Sequence, residues 1–162
     1  MGERVEQVKK VVARAFPKLN DDEKFEVTSK ATPNYNCIAW AYGYNDRWMW
    51  PFAGGSALLD GVYYYWPENG ITEPSIDNFI ETFRLKGYEL CDDWGYEEDY
   101  QKIALYAKPD SWDACTHASR QLRNGYWTSK LGKECDIQHG TPYSIENDAY
   151  GKVRCIMRRP FR

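Results

Sequence analysis

The sequence lacks the features that define several large classes of protein. It contains no run of 18 apolar residues and no apolar segment close to its N-terminus, so it predicts neither a membrane-spanning helix nor a signal peptide. Its five cysteines form no Cys-x-x-Cys pair, which argues against a disulfide framework and a zinc knuckle. The formal net charge is only −3, so neither nucleic acid nor a membrane is an expected partner. We therefore expect a cytoplasmic protein without metal or cofactor, exported, if at all, by a system that ignores signal peptides.

Aromatic residues, in contrast, are abundant. They make up 16% of the 162 residues and include seven tryptophans and thirteen tyrosines. Rings of this size bury enough apolar surface to build one hydrophobic core. The length and the absence of a linker predict a single domain over residues 1–162.

The pattern of apolar residues predicts helices in the first half of the chain and strands in the second. Helices are expected over residues 4–16, from Cys37 to Gly43 with Asn36 as the cap, and from Ser75 onwards. Strands are expected over residues 88–91, 102–108, 115–122, 126–131 and 152–157. The turn Asn124-Gly125 is typical of a hairpin between the third and fourth of these strands. This order indicates an α+β protein with N-terminal helices packed on an antiparallel sheet.

Cys37 is the first candidate for a chemical role. A thiol in the first turn of a helix lies near unpaired amide N–H groups and the positive end of the helix dipole, and both favour the thiolate. With a base close by, such a thiolate is a nucleophile. The alternative is that Cys37 is a small buried hydrophobic residue, because cysteine is among the most buried residue types.

His117 is the candidate base. The chain has two histidines, His117 and His139, and His117 falls in a predicted strand beside small residues that leave its ring accessible. The alternative is an inert histidine of the surface or the core. A cysteine at a helix start together with a histidine on a downstream strand favours Cys-His chemistry.

Four short motifs carry a resemblance to a known kind of domain. They are Asn34-Tyr35-Asn36-Cys37-Ile38-Ala39-Trp40-Ala41, Thr116-His117-Ala118-Ser119-Arg120-Gln121, Trp127-Thr128-Ser129-Lys130-Leu131-Gly132 and Asp136-Ile137-Gln138-His139. Together they look like an uncharacterised bacterial domain family that resembles the papain-like and NlpC-like cysteine hydrolases, over the chain from about Asn34 onwards. In those hydrolases a nucleophilic cysteine opens a helix, a histidine lies on a following strand, and a polar residue on the next element orients the histidine.

The resemblance implies a papain-like fold and a catalytic triad of Cys37, His117 and a third residue. Asp136 and His139 compete for the third place, with a slight preference for Asp136. A carboxylate or a second imidazole can hold the far ring nitrogen of the histidine and fix its tautomer. Ser129 stands roughly where NlpC-like hydrolases have their third residue, and the alternative role for Asp136 and His139 is a structural turn.

Four more residues are candidates for binding a substrate or its oxyanion. The side-chain amide of Asn34 or Asn36 can donate to an oxyanion beside the backbone N–H of Cys37, although Asn36 can instead cap the helix. Trp40 on the same helix and Trp66, at the end of the aromatic segment 48–66, can line a substrate groove. The alternative for such rings is the hydrophobic core.

These residues predict hydrolysis or acyl transfer at an amide or ester bond of a peptide or other amide-containing substrate. His117 takes the Cys37 proton, the thiolate attacks the carbonyl carbon, and water or an amine resolves the acyl-enzyme. The alternative is a binding or toxin-associated module that keeps a papain-like shape without catalysis. The substrate, the choice among peptidase, amidase, deamidase and transglutaminase, and the oligomeric state stay open.

Overall fold

The computed structural model describes residues 2–51, 56–59, 62–67, 73–109 and 113–161. Its described residues form ten strands: β1 Glu26–Val27, β2 Trp48–Met49, β3 Ser56–Leu59, β4 Val62–Tyr65, β5 Glu89–Cys91, β6 Tyr100–Ala107, β7 Cys115–Gln121, β8 Trp127–Lys130, β9 Asp136–His139 and β10 Lys152–Pro160. Seven of them form an antiparallel sheet in the order β1-β9-β8-β7-β6-β10-β5. The other three form a small sheet in the order β2-β4-β3.

The helices of the described residues are short. They are α1 Gly2–Ala15, α2 Cys37–Tyr42 and α3 Ile76–Arg84, with 3₁₀ turns at Pro17–Asp21 and Pro142–Ile145. The side chain of Asn36 caps α2 by accepting from the N–H of Ala39 at 3.0 Å. Gly43 ends it with a φ of +113°, a value that glycine adopts without strain. No helix within the described ranges is both long and apolar enough to cross a membrane.

The large sheet separates two hydrophobic clusters, which lie on its opposite faces. Ile103 and Leu105 of β6 belong to the cluster that contains residues of α2 and α3. Ala104 and Tyr106, which alternate with them, belong to the cluster that contains residues of α1. We call these two sides the α2 face and the α1 face, because successive residues of a strand point to opposite sides of the sheet.

A bulge in β7 changes which of its side chains reach each face. Ala107 pairs with Cys115 and the preceding Tyr106 pairs with His117, so Thr116 is an extra residue on β7. Beyond the bulge, Ala118 pairs with Leu105 of the α2 face. His117 therefore shares the α1 face with Tyr106.

Strand β10 begins where the backbone passes very close to β6. Gly151 has a φ of +76°, and a Cβ atom added to it would overlap the carbonyl group of Ala107. Both the conformation and the space at this position therefore require glycine.

The α+β class is confirmed, as are the cap and the end of α2, but the helices do not all precede the strands, because β1 precedes α2 and β2, β3 and β4 precede α3. The five predicted strands are present, with ends shifted by at most three residues. The sequence missed β1 and β9, and it offered a turn where Asp136 and His139 form the ends of β9. The small sheet in the aromatic segment 48–66 was not predicted either, and residues 52–55 and 60–61 of this segment lie outside the described ranges.

Candidate functional site

Cys37 is the first residue of α2, as the sequence predicts, and its sulfur lies against backbone N–H groups. These are its own, that of Ile38 in the same turn and that of Ala118 in β7. The residue is only 8% exposed. Burial raises the pKa of the thiol to about 11 and outweighs the opposing effect of the N–H groups, so the thiol is neutral at pH 7.

His117 lies in the interior, on the α1 face. It is 0% exposed, and its ring stacks on Tyr150 with the centroids 4.1 Å apart and meets the edge of Tyr106 at 5.2 Å. The prediction of an accessible ring is wrong, because these two larger rings cover it. Burial lowers the pKa of His117 well below its ordinary value, so the imidazole is neutral at pH 7.

A chain of polar groups runs from His117 across two neighbouring strands. His117 Nε2 lies 3.0 Å from Ser129 Oγ, which lies 2.8 Å from His139 Nε2. His139 Nδ1 lies 2.7 Å from the carbonyl oxygen of Thr141. We call these four groups the histidine relay.

The carbonyl at the end of the relay fixes where its protons lie. Because the Thr141 oxygen only accepts, Nδ1 of neutral His139 is its donor and Nε2 of His139 must accept from Ser129. Ser129 Oγ then accepts from His117, whose proton is on Nε2. His117 Nδ1 is left with a bare lone pair, and no partner for this buried nitrogen exists in the part of the chain that the structure describes.

Ser129, and not Asp136, is the residue that orients His117. Asp136 points to the α2 face, where its Oδ2 accepts from the hydroxyl of Tyr35 at 2.8 Å, and burial raises the pKa of its carboxyl group. His139 reaches His117 only through Ser129. The sequence signal for Ser129 was its position on the strand after that of His117.

Lys130 follows Ser129 and points to the opposite face, which agrees with strand alternation. Its ammonium group is fully buried and donates to the carbonyl oxygens of Thr32 at 2.8 Å, Gly132 at 2.6 Å and Glu134 at 2.6 Å. It also lies 5.0 Å from the ring centroid of Tyr35. This lysine clamp joins the segment before α2 to the turn between β8 and β9.

The thiol of Cys37 and the ring of His117 approach β7 from opposite faces. The sulfur meets the N–H of Ala118, the residue after His117, whereas the ring turns away because alternate residues of a strand point in opposite directions. Burial raises the pKa of Tyr150, the residue on which His117 stacks, and a smaller electrostatic effect of Cys37 acts in the same direction. No hydrogen bond links Cys37 to His117, both of which are described.

The four predicted substrate contacts have different surroundings. Asn36 is a cap and not a free oxyanion donor, because its oxygen accepts from Ala39 and Met49 and its amide donates to Met49 at 2.9 Å. Asn34 is exposed two residues earlier. Trp66 is 2% exposed and packs on Phe79 with centroids 4.9 Å apart, so it is a core residue and does not line an open groove.

Trp40 differs from Trp66 because it is half-buried. Its Nε1 donates to Thr128 Oγ1 at 3.1 Å, and the guanidinium of Arg120 lies 4.7 Å from its ring. Two surface grooves of about 680 and 550 Å³ lie elsewhere, beside Lys108 and beside Lys10. Among the described residues, no group of three His, Cys, Asp or Glu side chains could hold a metal ion.

The two buried histidines are expected to make the protein less stable as the pH falls from 7 to 5.5. Burial lowers the pKa of His139 to about 4 and that of His117 well below its ordinary value. The unfolded chain therefore binds more protons as the pH falls below about 6.5, and the free energy of unfolding decreases by about 1.4 kcal/mol per pH unit for each histidine. We expect a loss of about 2–3 kcal/mol in urea titrations at the two pH values.

His139→Gln is the matched variant, because a glutamine amide can replace both hydrogen bonds of His139 without titrating. It should show about half of the pH dependence. The pH range ends at about 5.5, above the ordinary pKa of carboxylates. Burial raises the pKa of Asp136, so at lower pH this group increases the free energy of unfolding as the pH falls and opposes the effect of the histidines. Equal stability of the wild type at pH 7 and 5.5 would contradict neutral, buried histidines.

The comparison with known proteins gives a family but no activity. No curated protein matches the chain, and no solved structure does. The match to a described family runs over residues 26–158, from β1 into β10, and so includes Cys37 and all four residues of the relay. The chain belongs to the family described as domain of unknown function DUF7689.

Proposed function

We propose that this chain is a cysteine-dependent hydrolase or acyltransferase of papain-like or NlpC-like fold, with Cys37 as nucleophile and His117 as general base. The observation that carries the proposal is the bare Nδ1 of His117. The histidine relay holds the proton on the far nitrogen and leaves a lone pair that no described residue uses. A buried acceptor without a partner costs about 1–3 kcal/mol, and such costs recur at functional sites.

The surroundings of Cys37 support the same chemistry. Its sulfur lies at the first turn of α2 among three backbone N–H groups, which can stabilise a thiolate and then the oxyanion formed at the carbonyl of a substrate. The thiol and the imidazole are both neutral at pH 7, and because burial raises the pKa of the thiol and lowers that of the imidazole, proton transfer between them is unfavourable until a substrate is bound. Lys130 adds a positive charge near the sulfur.

The reaction then proceeds in two steps. The S–H proton of Cys37 passes to His117 Nδ1 while the sulfur bonds to the carbonyl carbon of an amide or ester, and the amine or alcohol leaves with the proton from Nδ1. Water or an amine attacks the thioester in the second step and gives its proton to Nδ1, and Nδ1 returns this proton to the departing sulfur of Cys37. Ser129 and His139 hold the ring and its tautomer throughout.

The proposal requires a movement. The sulfur of Cys37 and Nδ1 of His117 must come within hydrogen-bond distance, and a substrate must reach a thiol that is 8% exposed. Because the two groups lie on opposite faces of the sheet, this movement must shift the backbone of β7 beside the bulge at Thr116, and a change of side-chain rotamer alone is not sufficient. Binding of the substrate supplies the free energy for this change.

The test compares the rates at which p-nitrophenyl acetate acetylates the five thiols at pH 7, followed by peptide mass spectrometry. Exposure alone predicts that Cys91, which is only half-buried, reacts before Cys37. The proposal predicts the reverse order, with acetylation of Cys37 at least about tenfold slower in His117→Gln. Cys91→Ser is the control that leaves the Cys37 rate unchanged. Faster reaction at Cys91, or an unchanged Cys37 rate in His117→Gln, would overturn the proposal.

The second candidate is a binding or toxin-associated module without catalysis. The observation that favours it is the position of His117, which is fully buried on the α1 face and stacked on Tyr150, as a structural histidine is. In that case Cys37→Ser keeps any cellular phenotype of the protein. Loss of the phenotype in a folded Cys37→Ser variant favours the enzyme.

A further inference from the structure

Three basic side chains meet on the α2 face at the end of α2 that is remote from Cys37. They are Lys86 after α3, Arg120 in β7 and Arg159 in β10, and we call them the cation cluster. Arg120 pairs with Ile103 of β6, and Arg159 pairs with Gln101 two residues away on that strand. The segment that carries Lys86 passes over Arg159, because a Cβ added to Gly87 would lie 4.0 Å from that of Arg159.

Aromatic rings line the cluster. Arg120 lies 4.7 Å from the ring of Trp40, Arg159 lies 5.4 Å from that of Tyr88, and Lys86 lies 4.8 Å from that of Tyr42. Lys86 also donates to the carbonyl oxygen of Tyr42 at 2.7 Å. All three cations are half-buried, so the cluster is sheltered but open to solvent.

No carboxylate of the described residues lies within ion-pair distance of the cluster, although the carboxyl group of Asp136 has a Coulombic interaction with Arg120. None of its three members takes part in an ion pair with the carboxylates of the described residues, and the Nε atoms of Arg120 and Arg159 are buried without a hydrogen-bond acceptor. The two arginines also lower the pKa of Lys86, next to the larger effect of burial. Like charges held together at half-buried positions repel one another, and an anion between them removes this cost.

We propose that the cation cluster is a binding site for an oxyanion, the carboxylate or phosphate group of a small ligand. Planar guanidinium groups bind both kinds of oxyanion through paired N–H donors, and Arg120 and Arg159 each have an N–H without an acceptor. Trp40, against which Arg120 packs, fixes one wall. The proposal does not depend on catalysis by Cys37.

The experiment titrates the full chain with inorganic phosphate and, separately, with citrate, at constant ionic strength set with sodium chloride. The signals are heat and tryptophan fluorescence, to which Trp40 contributes. We expect saturable binding of at least one of the two anions. Binding of phosphate alone assigns the site to phosphate groups, and binding of citrate assigns it to carboxylates.

The variants Arg120→Gln and Arg159→Gln should each weaken the affinity at least about tenfold, since each removes a charge-assisted hydrogen bond. Arg154→Gln is the matched control, because this exposed arginine already pairs with Asp113 and should change the affinity less than about twofold. If the Arg120→Gln variant does not fold, Arg120→Lys replaces it, because lysine keeps the positive charge. Arg120→Lys should still weaken binding, because lysine lacks the paired N–H donors of a guanidinium group. No saturable binding to the folded wild type, or an equal loss in Arg154→Gln, would refute the site.

Discussion

Replacing Ser129 by alanine is expected to lower the free energy of unfolding by about 2–5 kcal/mol. Ser129 Oγ is the middle group of the histidine relay, at 3.0 Å from His117 and 2.8 Å from His139. Without it, two buried ring nitrogens lose their partners at once. Urea denaturation at pH 7 measures the loss directly.

Ser119→Ala is the matched control for this change. Ser119 is as buried as Ser129 and bonds to the hydroxyl of Tyr106 at 2.9 Å, but that hydroxyl also donates to the carbonyl oxygen of Pro142 at 2.6 Å and so keeps a partner. The control should cost about 0.5–1.5 kcal/mol. If both variants lose the same free energy, the relay has no special role.

Gly151→Ala is expected to destabilise the protein by about 4 kcal/mol or more, which is an exceptional loss for a single substitution. The left-handed conformation at φ +76° alone costs about 1–2 kcal/mol for alanine. The added methyl group also overlaps the backbone of Ala107 and Lys108, which cannot rotate away as a flexible side chain can. Thermal and urea denaturation should both show the change.

The control here is Gly132→Ala, in the turn between β8 and β9. Its φ of +59° imposes the same conformational cost, but no atom lies within 4 Å of the added methyl group. It should cost only about 1–2 kcal/mol. Similar losses in the two variants would mean that the overlap at Gly151 relaxes freely.

Local signals in the sequence were sufficient for α2. Asn36, Cys37 and Gly43 supply a cap, a first turn and a left-handed end, and each of these depends on neighbours within a few residues. Strand β9 was missed because Asp136 and His139 are polar and resemble turn residues. Their partners are Tyr35 for Asp136, 101 positions away, and Ser129 for His139, 10 positions away on the neighbouring strand, and neither lies within the range of a local turn or strand pattern.

The site was harder to predict than the fold. The sequence indicated both Cys37 and His117, but the bulge at Thr116 decides the face that His117 reaches, and a single extra residue in a strand leaves no pattern in the hydrophobicity. The choice between Asp136 and Ser129 likewise depended on which side of β8 and β9 faces His117. The cation cluster was not found because its members are separated by 34 and 39 residues in the chain.

The lysine clamp has a consequence for how the molecule opens. Lys130 and Thr32 are 98 positions apart, and a single ammonium group ties the strand that holds the relay to the segment that leads into α2. Neither part can separate without exposing a buried charge and three carbonyl groups together. We therefore expect amide hydrogen exchange in the two segments to be coupled into one event, so that Cys37 and Ser129 become exposed and protected as a unit.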